Sequence, residues 1–180
     1  MHFLALGIES GNTKVRSDVV KGKFEEIDIR DIVKKIKDHG INVMGNYIFG
    51  LPEDNLQTMQ ETLDLAIELN TEGANFYSAM AYPGSPLYGI AKKEGWKLPS
   101  GYAGFSQHSY YTQPLPTKHL TAEEVLGFRD KAWMRYHTNP RYLALLKEKF
   151  GQMAVDETLK STQIKLRRKI LEEKARVTAS

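Results

Sequence analysis

Residues 42–53 read NVMGNYIFGLPE, an apolar and aromatic run that ends in a Gly-Leu-Pro-Glu turn. Short runs of this composition are typical of buried strands, and the glycine and proline mark the place where the strand ends. Acidic residues follow the turn and suit the positive end of a helix dipole, so a helix is predicted from Asn55 to Leu69. The segment therefore predicts a strand at Asn42 to Phe49 that leads through a turn into a helix.

The same unit recurs on both sides of this segment. A strand is predicted before it at Phe3 to Ile8, and another after it near Asn75 to Met80. Repeated strand–helix units favour a parallel sheet. The connecting segments are predicted as a helix at Thr13 to Val20, a loop at Gly22, a helix across Ile29 to Ile36 that ends at Gly40, and a helix that ends before Gly95.

The rest of the chain has a different pattern. Residues 97–120 are rich in aromatic residues, Pro, Gly and Ser, which predicts an irregular segment. Thr121 and Glu124 have the spacing of a capping box, which predicts the start of a helix. A short helix is then predicted at Tyr142 to Phe150, and one amphipathic helix from Val155 to Arg176.

Composition excludes several classes of protein. With 180 residues, 41% hydrophobic and 26% charged, the chain has the composition of a globular protein with one core. It has no apolar run long enough for a membrane helix and no signal peptide, so we expect a cytoplasmic protein without a membrane partner. The absence of cysteine excludes disulfides and any thiolate-held metal or iron–sulfur cluster within the chain. The five histidines lack paired spacing, so no metal site is predicted.

Candidate ligand contacts lie where the strands end, because parallel α/β folds bind ligands beyond the carboxyl ends of their strands. Alternation along the first strand places Glu9 on the same face as Ala5 and Gly7, where it could point toward a ligand; it could equally be a loop carboxylate. At the end of the second strand, Ile48 and the amide groups near Gly50 could hold the edge of a purine. From these residues alone, an ordinary turn explains the second pattern better than a ligand site does.

Three strings then occur together, GIESG at residues 7–11, NYIFGLPE at 46–53 and YPGSPLY at 82–88. In this order and spacing they resemble the C-terminal half of radical S-adenosylmethionine enzymes, and most closely the cobalamin-binding subgroup. The resemblance implies an α/β fold, a partial (half) TIM-type parallel β/α barrel with a C-terminal α-helical extension. It divides the chain into the barrel half with strands four to six at 1–96, the irregular aromatic and proline segment at 97–120, and the helical extension at 121–180.

The resemblance also implies a binding site for S-adenosylmethionine at the strand ends. Polar groups after the first strand would contact its ribose or methionyl part, while Ile48 and nearby backbone would contact adenine. Asn46 stands where the family pattern usually has glycine, which puts close backbone approach there in doubt. The cofactor-binding residues that the resemblance implies are Glu9, Ser10, Asn46, Ile48, Gly50, Met80 and Tyr82.

Cofactors and partners follow from the same resemblance. The cysteines that bind the 4Fe-4S cluster in such enzymes are absent here, so the cluster, and possibly cobalamin, would belong only to the complete protein. This chain alone would be inactive and would bind S-adenosylmethionine weakly or not at all. Its strand-initial Met1 suggests a truncated or split protein, whose partner would be the missing N-terminal barrel half or a separate cluster-bearing chain. The unpaired edge of the Phe3 to Ile8 strand would favour self-association.

An alternative function is a module that binds protein or nucleic acid through a basic C-terminal helix. Acidic residues interrupt its cations, so an ordinary solvated helix face explains the pattern better and nucleic acid is not the favoured partner. Aromatic residues of the irregular segment could lie near a substrate or simply pack. The basic residues are Lys160, Lys165, Arg167, Arg168, Lys169, Lys174 and Arg176, and the aromatic residues are Tyr102, Tyr110 and Tyr111.

Overall fold

The protein contains a three-stranded parallel sheet in the order β1-β2-β3. The computed structural model describes residues 2–20 and 28–178, so the predicted loop at Gly22 lies outside the described residues. The strands are β1 (Phe3–Glu9), β2 (Asn42–Phe49) and β3 (Gly73–Ser78). The three predicted strands are confirmed, with β3 starting and ending earlier than its aromatic run suggested.

Eight helices accompany these strands in the part of the chain that the structure describes. The capping box at Thr121 and Glu124 is confirmed: the Glu124 amide donates to Thr121 Oγ1 and the Thr121 amide to Glu124 Oε2. The helices are α1 (Thr13–Val20), α2 (Ile29–Asp38), α3 (Leu56–Leu69), α4 (Pro86–Lys93), α5 (Ala122–His137), α6 (Pro140–Phe150), α7 (Gln152–Thr162) and α8 (Lys169–Thr178), with a 3-10 turn at Tyr102–Phe105.

The predicted single helix from Val155 to Arg176 is wrong. The chain leaves helical geometry after Thr162 and resumes it at Lys169. Between these points Arg168 becomes buried and binds Asp130 of α5 through two hydrogen bonds of 2.9 Å. A continuous helix would follow the amphipathic pattern, but the long-range ion pair turns the chain instead.

The expectation of half a TIM-type barrel is also wrong. Within residues 2–20 and 28–178 the structure has a three-stranded parallel sheet and several helices, an α/β arrangement without a recognisable half barrel. Irregular chain covers the outer edge of β3: the Gln107 side chain accepts from the Ser78 amide at 2.9 Å and donates to the Ser78 carbonyl at 3.0 Å. Arg129 Nε donates to the Phe76 carbonyl at 2.7 Å on the same edge.

The core lies between one face of the sheet and the helices, and it includes residues from both the strands and the C-terminal helices. Phe76 of β3 is its centre, with ring centroids 5.4 Å from Tyr47, 5.7 Å from Phe49 and 5.5 Å from Tyr136 of α5. Burying one large apolar side chain contributes about 1.5–3 kcal/mol. This packing holds the strands in place, so their side chains on the opposite face are presented from a fixed framework.

Buried Glu72 fastens the amino end of the sheet. Its Oε2 accepts from the Val43 amide at 2.8 Å, and its Oε1 accepts from Lys149 Nζ of α6 at 2.7 Å. Burial alone would raise the pKa of Glu72, but the hydrogen bonds from Lys149 and from Val43 outweigh it and hold the pKa below its ordinary value. The charged form of Glu72 is therefore part of the fold.

We expect Glu72→Gln to lower the free energy of unfolding by about 2 kcal/mol at neutral pH, because it leaves Lys149 near a neutral buried amide. A carboxyl whose pKa is lowered on folding stabilises above its ordinary pKa of 4.5, and this contribution is lost as pH falls through the lowered value. The difference between the variant and the wild type should therefore shrink in acid. Urea unfolding at several pH values measures it.

Glu68→Gln is the matched control. Glu68 pairs with Arg30 at 2.6 Å, but its side chain is 52% exposed, so its loss should cost less than about 0.5 kcal/mol. Equal effects of the two substitutions would show that Glu72 does not fasten the sheet.

Candidate functional site

The sheet face opposite the helices is only partly covered. Alternation along the strands assigns to this face the side chains of Ala5 and Glu9 from β1, Met44, Asn46 and Ile48 from β2, and Asn75 and Tyr77 from β3, together with Gly7. We call these eight residues the open face. All of them are exposed or partly exposed, whereas the side chains on the helix-covered face of β2 and β3 are buried.

Two asparagines form the polar centre of the open face. They stand opposite each other in the pairing of β2 with β3, and Asn75 Nδ2 donates to Asn46 Oδ1 at 2.9 Å. Asn46 Nδ2 donates to the Leu6 carbonyl of β1 at 3.3 Å, so the amides span all three strands. Among the described residues, nothing donates to Asn75 Oδ1, which leaves an acceptor available to a ligand.

Glu9 lies at the carboxyl end of β1, where the pairing with β2 shifts register. Its backbone has φ 63°, a left-handed conformation that costs about 1–2 kcal/mol for a residue with a Cβ. Its carboxylate lies over Gly7: a Cβ at Gly7 would stand 2.6 Å from Glu9 Oε1. Strand alternation predicts this face for Glu9, and the contact with Gly7 agrees with that prediction.

The Glu9 carboxylate is poorly compensated. Burial raises its pKa above the ordinary value, and within the described ranges its oxygens receive no hydrogen bond. A half-buried carboxylate in strained backbone is a typical feature of a functional site. It can accept hydrogen bonds from hydroxyl groups or attract a cation.

We expect Glu9→Gln to raise the free energy of unfolding at neutral pH, because it removes a desolvated charge. A carboxyl whose pKa is raised on folding favours the native state at low pH, and that advantage is lost as pH rises through the raised value. The gain from Glu9→Gln should therefore be present above the raised pKa and vanish in acid. Thermal unfolding of both proteins between acid and neutral pH checks this, and a variant less stable than wild type at neutral pH would contradict it.

Ser10 has its side chain in the interior. It is fully buried, and its Oγ lies 3.2 Å from Thr62 Oγ1 of α3. The Asn12 amide donates to the same Ser10 Oγ at 3.2 Å, and the Gly11 amide donates to Thr62 Oγ1 at 2.9 Å. The hydroxyl therefore fastens the end of β1 to α3 and positions the neighbouring Glu9.

Gly50 approaches a helix closely. Its φ is 82°, and a Cβ there would stand 2.4 Å from Val125 Cγ1 of α5. The amides of Gly50 and Leu51 donate to Asp54 Oδ2 at 3.0 and 2.9 Å. The glycine is needed for the turn and for contact with α5, and its amide is already engaged.

Asp54 was missed in the sequence. It is 1% exposed and holds the whole Gly-Leu-Pro-Glu turn, since its Oδ1 also accepts from Thr58 Oγ1 at 2.7 Å. Burial raises the pKa of Asp54 against the opposing effect of these hydrogen bonds. A carboxylate four residues after the glycine that ends a strand is the sequence pattern that could have predicted this role of Asp54.

The sequence also did not single out Asn75, Tyr77 and Gln107. Asn75 could have been predicted, because an asparagine stands inside each of two neighbouring apolar strands.

The remaining predicted residues occupy different surroundings. Ile48 packs beside Leu51 and Ala79 at the carboxyl end of the sheet, partly exposed. Met80 is 7% exposed, so its side chain belongs to the interior. Tyr82 is 49% exposed, with its ring centroid 5.9 Å from that of Phe105. The structure thus brings together Glu9, Asn46 and Ile48 on the open face, and it engages Ser10, Gly50 and Met80 in packing.

Neither a metal-binding group nor a membrane-spanning helix occurs among the described residues. Across residues 2–20 and 28–178, no three His, Cys, Asp or Glu side chains are grouped so that they could hold a metal ion. Within the same ranges, no helix has both the length and the apolar composition that crossing a membrane requires.

The sequence is similar to two proteins that are named as methyltransferases. No family model matches the sequence. The chain is 26% identical over 142 residues to an uncharacterized methyltransferase of Pyrococcus horikoshii, which covers 79% of the chain and 30% of that protein. It is 26% identical over 124 residues to bacteriochlorophyllide d C-12(1)-methyltransferase of Chlorobaculum tepidum, which covers 69% of the chain and 26% of that protein. The chain thus spans less than a third of the length of either relative.

These relatives correct the family suggested by the three strings. Both carry the name of methyltransferase, so the similarity is to methyltransferases, and the assignment to radical S-adenosylmethionine enzymes is overturned. The cluster and cobalamin, which rested on that assignment, have no support from the relatives' names or from any metal-binding group within the described ranges. What the chain is similar to is a pair of enzymes that transfer methyl groups.

Proposed function

We propose that this chain is part of a methyltransferase and that its open face contributes to binding of the methyl donor S-adenosylmethionine. The similarity to two named methyltransferases supports the enzyme class. The observation that carries the site is the uncompensated Glu9 carboxylate at the carboxyl end of β1, on the same face of the sheet as the Asn46 and Asn75 amides.

The chemistry of the open face suits this ligand. Ribose hydroxyl groups are donors, and both the Glu9 carboxylate and Asn75 Oδ1 are available acceptors. Ile48 offers an apolar surface beside them, as a purine ring requires. The donor supplies a methyl group on a positively charged sulfur, and a carboxylate that has lost part of its hydration attracts such a charge more strongly than an exposed one does.

The role of this chain would be binding and orientation. Asn46 is held from both neighbouring strands, and the backbone that follows Glu9 is held by the contact of Ser10 with Thr62 of α3. Groups fixed in this way lose little freedom when a ligand binds. No residue of the chain is assigned to the methyl transfer step itself.

Calorimetric titration with S-adenosylmethionine and S-adenosylhomocysteine tests the proposal, because the second molecule lacks the positive charge on sulfur. We expect Glu9→Gln to weaken S-adenosylmethionine binding about tenfold, which corresponds to 1.4 kcal/mol, and to weaken S-adenosylhomocysteine binding less. Burial raises the pKa of Glu9, so the carboxylate becomes protonated as pH is lowered toward that raised value. The affinity of the wild type for S-adenosylmethionine should therefore fall over this pH range, and the affinity of Glu9→Gln should stay constant.

Glu53→Gln is the control. Glu53 lies at the same end of the sheet, but Lys118 binds it and lowers its pKa, so its charge is already compensated. Its substitution should leave both affinities unchanged. Equal losses in the two variants, or no saturable binding by the wild type, would count against the open face.

The alternative of a nucleic-acid or protein module at the basic C-terminus gains no specific support. Several of its cations are paired: Lys160 with Glu157 at 2.6 Å, and Arg167 with Glu172 at 2.8 Å. Arg168 is buried and paired inside the protein. Association through the β1 edge stays a prediction; Phe3 and Leu4 on that strand are 49% and 42% exposed.

A further inference from the structure

A cavity of about 410 Å³ lies between the irregular segment after α4 and the start of α8. Its volume falls within the range of roughly 300–1,000 Å³ that is usual for small-molecule sites. It is separate from the open face, since none of the eight open-face residues lines it. The lining residues on which its chemistry depends are Lys97, Leu98, Pro99, Tyr111, Lys169 and Ile170.

The walls of the cavity are fastened by hydrogen bonds. The Gln113 amide donates to the Gly104 carbonyl at 2.9 Å, and the Lys169 amide donates to the Tyr110 carbonyl at 2.9 Å. Arg168 Nη1 donates to the Ser109 carbonyl at 2.9 Å, which ties the segment to the residue before α8. The cavity is therefore lined by segments that are bonded to one another, so the positions of its walls are set before a ligand arrives.

Its lining combines apolar surface with excess positive charge. Leu98, Pro99 and Ile170 offer aliphatic surface and Tyr111 an aromatic ring. Lys169 Nζ lies 5.9 Å from the centre of that ring and 3.8 Å from Glu173 Oε1, a distance at the limit of an ion pair. Lys97 adds a second cation, so the lining carries two positive side chains and one negative side chain.

We propose that this cavity binds an apolar molecule that carries an anionic group. The apolar body would pack against Pro99 and Ile170, and the anion would lie near Lys97 and Lys169. This inference does not rest on methyl transfer and would stand if the open face bound no donor.

A fluorescence titration with 8-anilinonaphthalene-1-sulfonate tests the proposal, because this dye joins a flat aromatic body to a sulfonate. We expect saturable binding by the wild type and weaker binding of the uncharged N-phenyl-1-naphthylamine. Gly101→Leu adds a branched side chain to the cavity lining without backbone strain, because φ at Gly101 is −165°, which any residue adopts, and a Cβ there would meet no heavy atom within 4 Å. We expect it to weaken dye binding about tenfold.

Two further variants complete the test. Gly89→Leu adds the same side chain at an open position of α4 that does not line the cavity, and it should bind the dye as the wild type does. Lys169→Glu reverses the charge of a side chain that is 48% exposed, and it should weaken binding of the anionic dye more than binding of the neutral one. Dye binding unchanged by Gly101→Leu and by Lys169→Glu would overturn the proposal, as would the absence of saturable binding.

Discussion

Gly50→Ala is expected to lower the free energy of unfolding by about 3 kcal/mol, the sum of a left-handed backbone cost and overpacking against α5. The added Cβ would stand 2.4 Å from Val125 Cγ1, and Val125 is fully buried, so neither side can yield without disturbing the core. The turn cannot relax easily either, since Asp54 holds the Gly50 amide at 3.0 Å. Chemical unfolding monitored by circular dichroism measures the loss.

Gly84→Ala separates the two causes. Gly84 has φ 87°, close to that of Gly50, but a Cβ there would meet no atom within 4 Å. Gly84→Ala should lower the free energy of unfolding only by the cost of the left-handed backbone conformation, about 1 kcal/mol. In addition, Val125→Ala combined with Gly50→Ala should cost about 1 kcal/mol less than the sum of the single variants, because it removes the clash. Equal costs at the two glycines would contradict the assigned role of Gly50.

Arg168→Met is expected to lower the free energy of unfolding by about 3 kcal/mol, near the lower end of the effect of breaking a buried ion pair. The Arg168 side chain is 1% exposed and makes two hydrogen bonds of 2.9 Å to Asp130. It also donates to the Ser109 carbonyl at 2.9 Å and to Thr112 Oγ1 at 3.0 Å. One side chain therefore joins α5, the irregular segment and α8, and no aliphatic replacement can satisfy these acceptors.

Arg167→Met is the neighbouring control for this substitution. The Arg167 side chain is 72% exposed and pairs with Glu172 at 2.8 Å, so its loss should cost about 0.5 kcal/mol. Urea unfolding of the two variants under the same conditions measures the difference. If both arginines contributed equally, the buried network would not be what holds the C-terminal helices.

Local signals predicted the elements of this fold well. The strands follow apolar and aromatic runs, and the helices begin at capping residues such as Thr121, because both signals act over a few residues. Local signals did not predict which residues cover the outer edge of the sheet. The outer edge of β3 is covered by Gln107 and Arg129, which lie far along the chain from it. The break before α8 likewise depends on a pair 38 residues apart.

In the candidate site too, the features that depend on local sequence were predicted and those that depend on distant contacts were not. The face occupied by Glu9 follows from strand alternation, a local property, and the structure agrees with it. Ser10 was expected at the ligand as a polar group after the first strand, as the resemblance implied, and Gly50 because glycine permits close backbone approach. A sequence does not show which group approaches them, and here the groups are Thr62 of α3 and Val125 of α5. The structural role of Asp54 was not predicted, because its carboxylate binds backbone amides of its own turn and no side-chain pattern marks such contacts.

Amide chemical-shift mapping by NMR tests most directly whether the open face contributes to the binding of S-adenosylmethionine. On titration with S-adenosylmethionine, we expect saturable shifts concentrated at the strand ends, at Glu9, residues 46–50 and residues 79–82, with the Glu9 shifts lost in Glu9→Gln. Saturable shifts confined to α6, α7 and α8, with the strand ends unchanged, would contradict the claim.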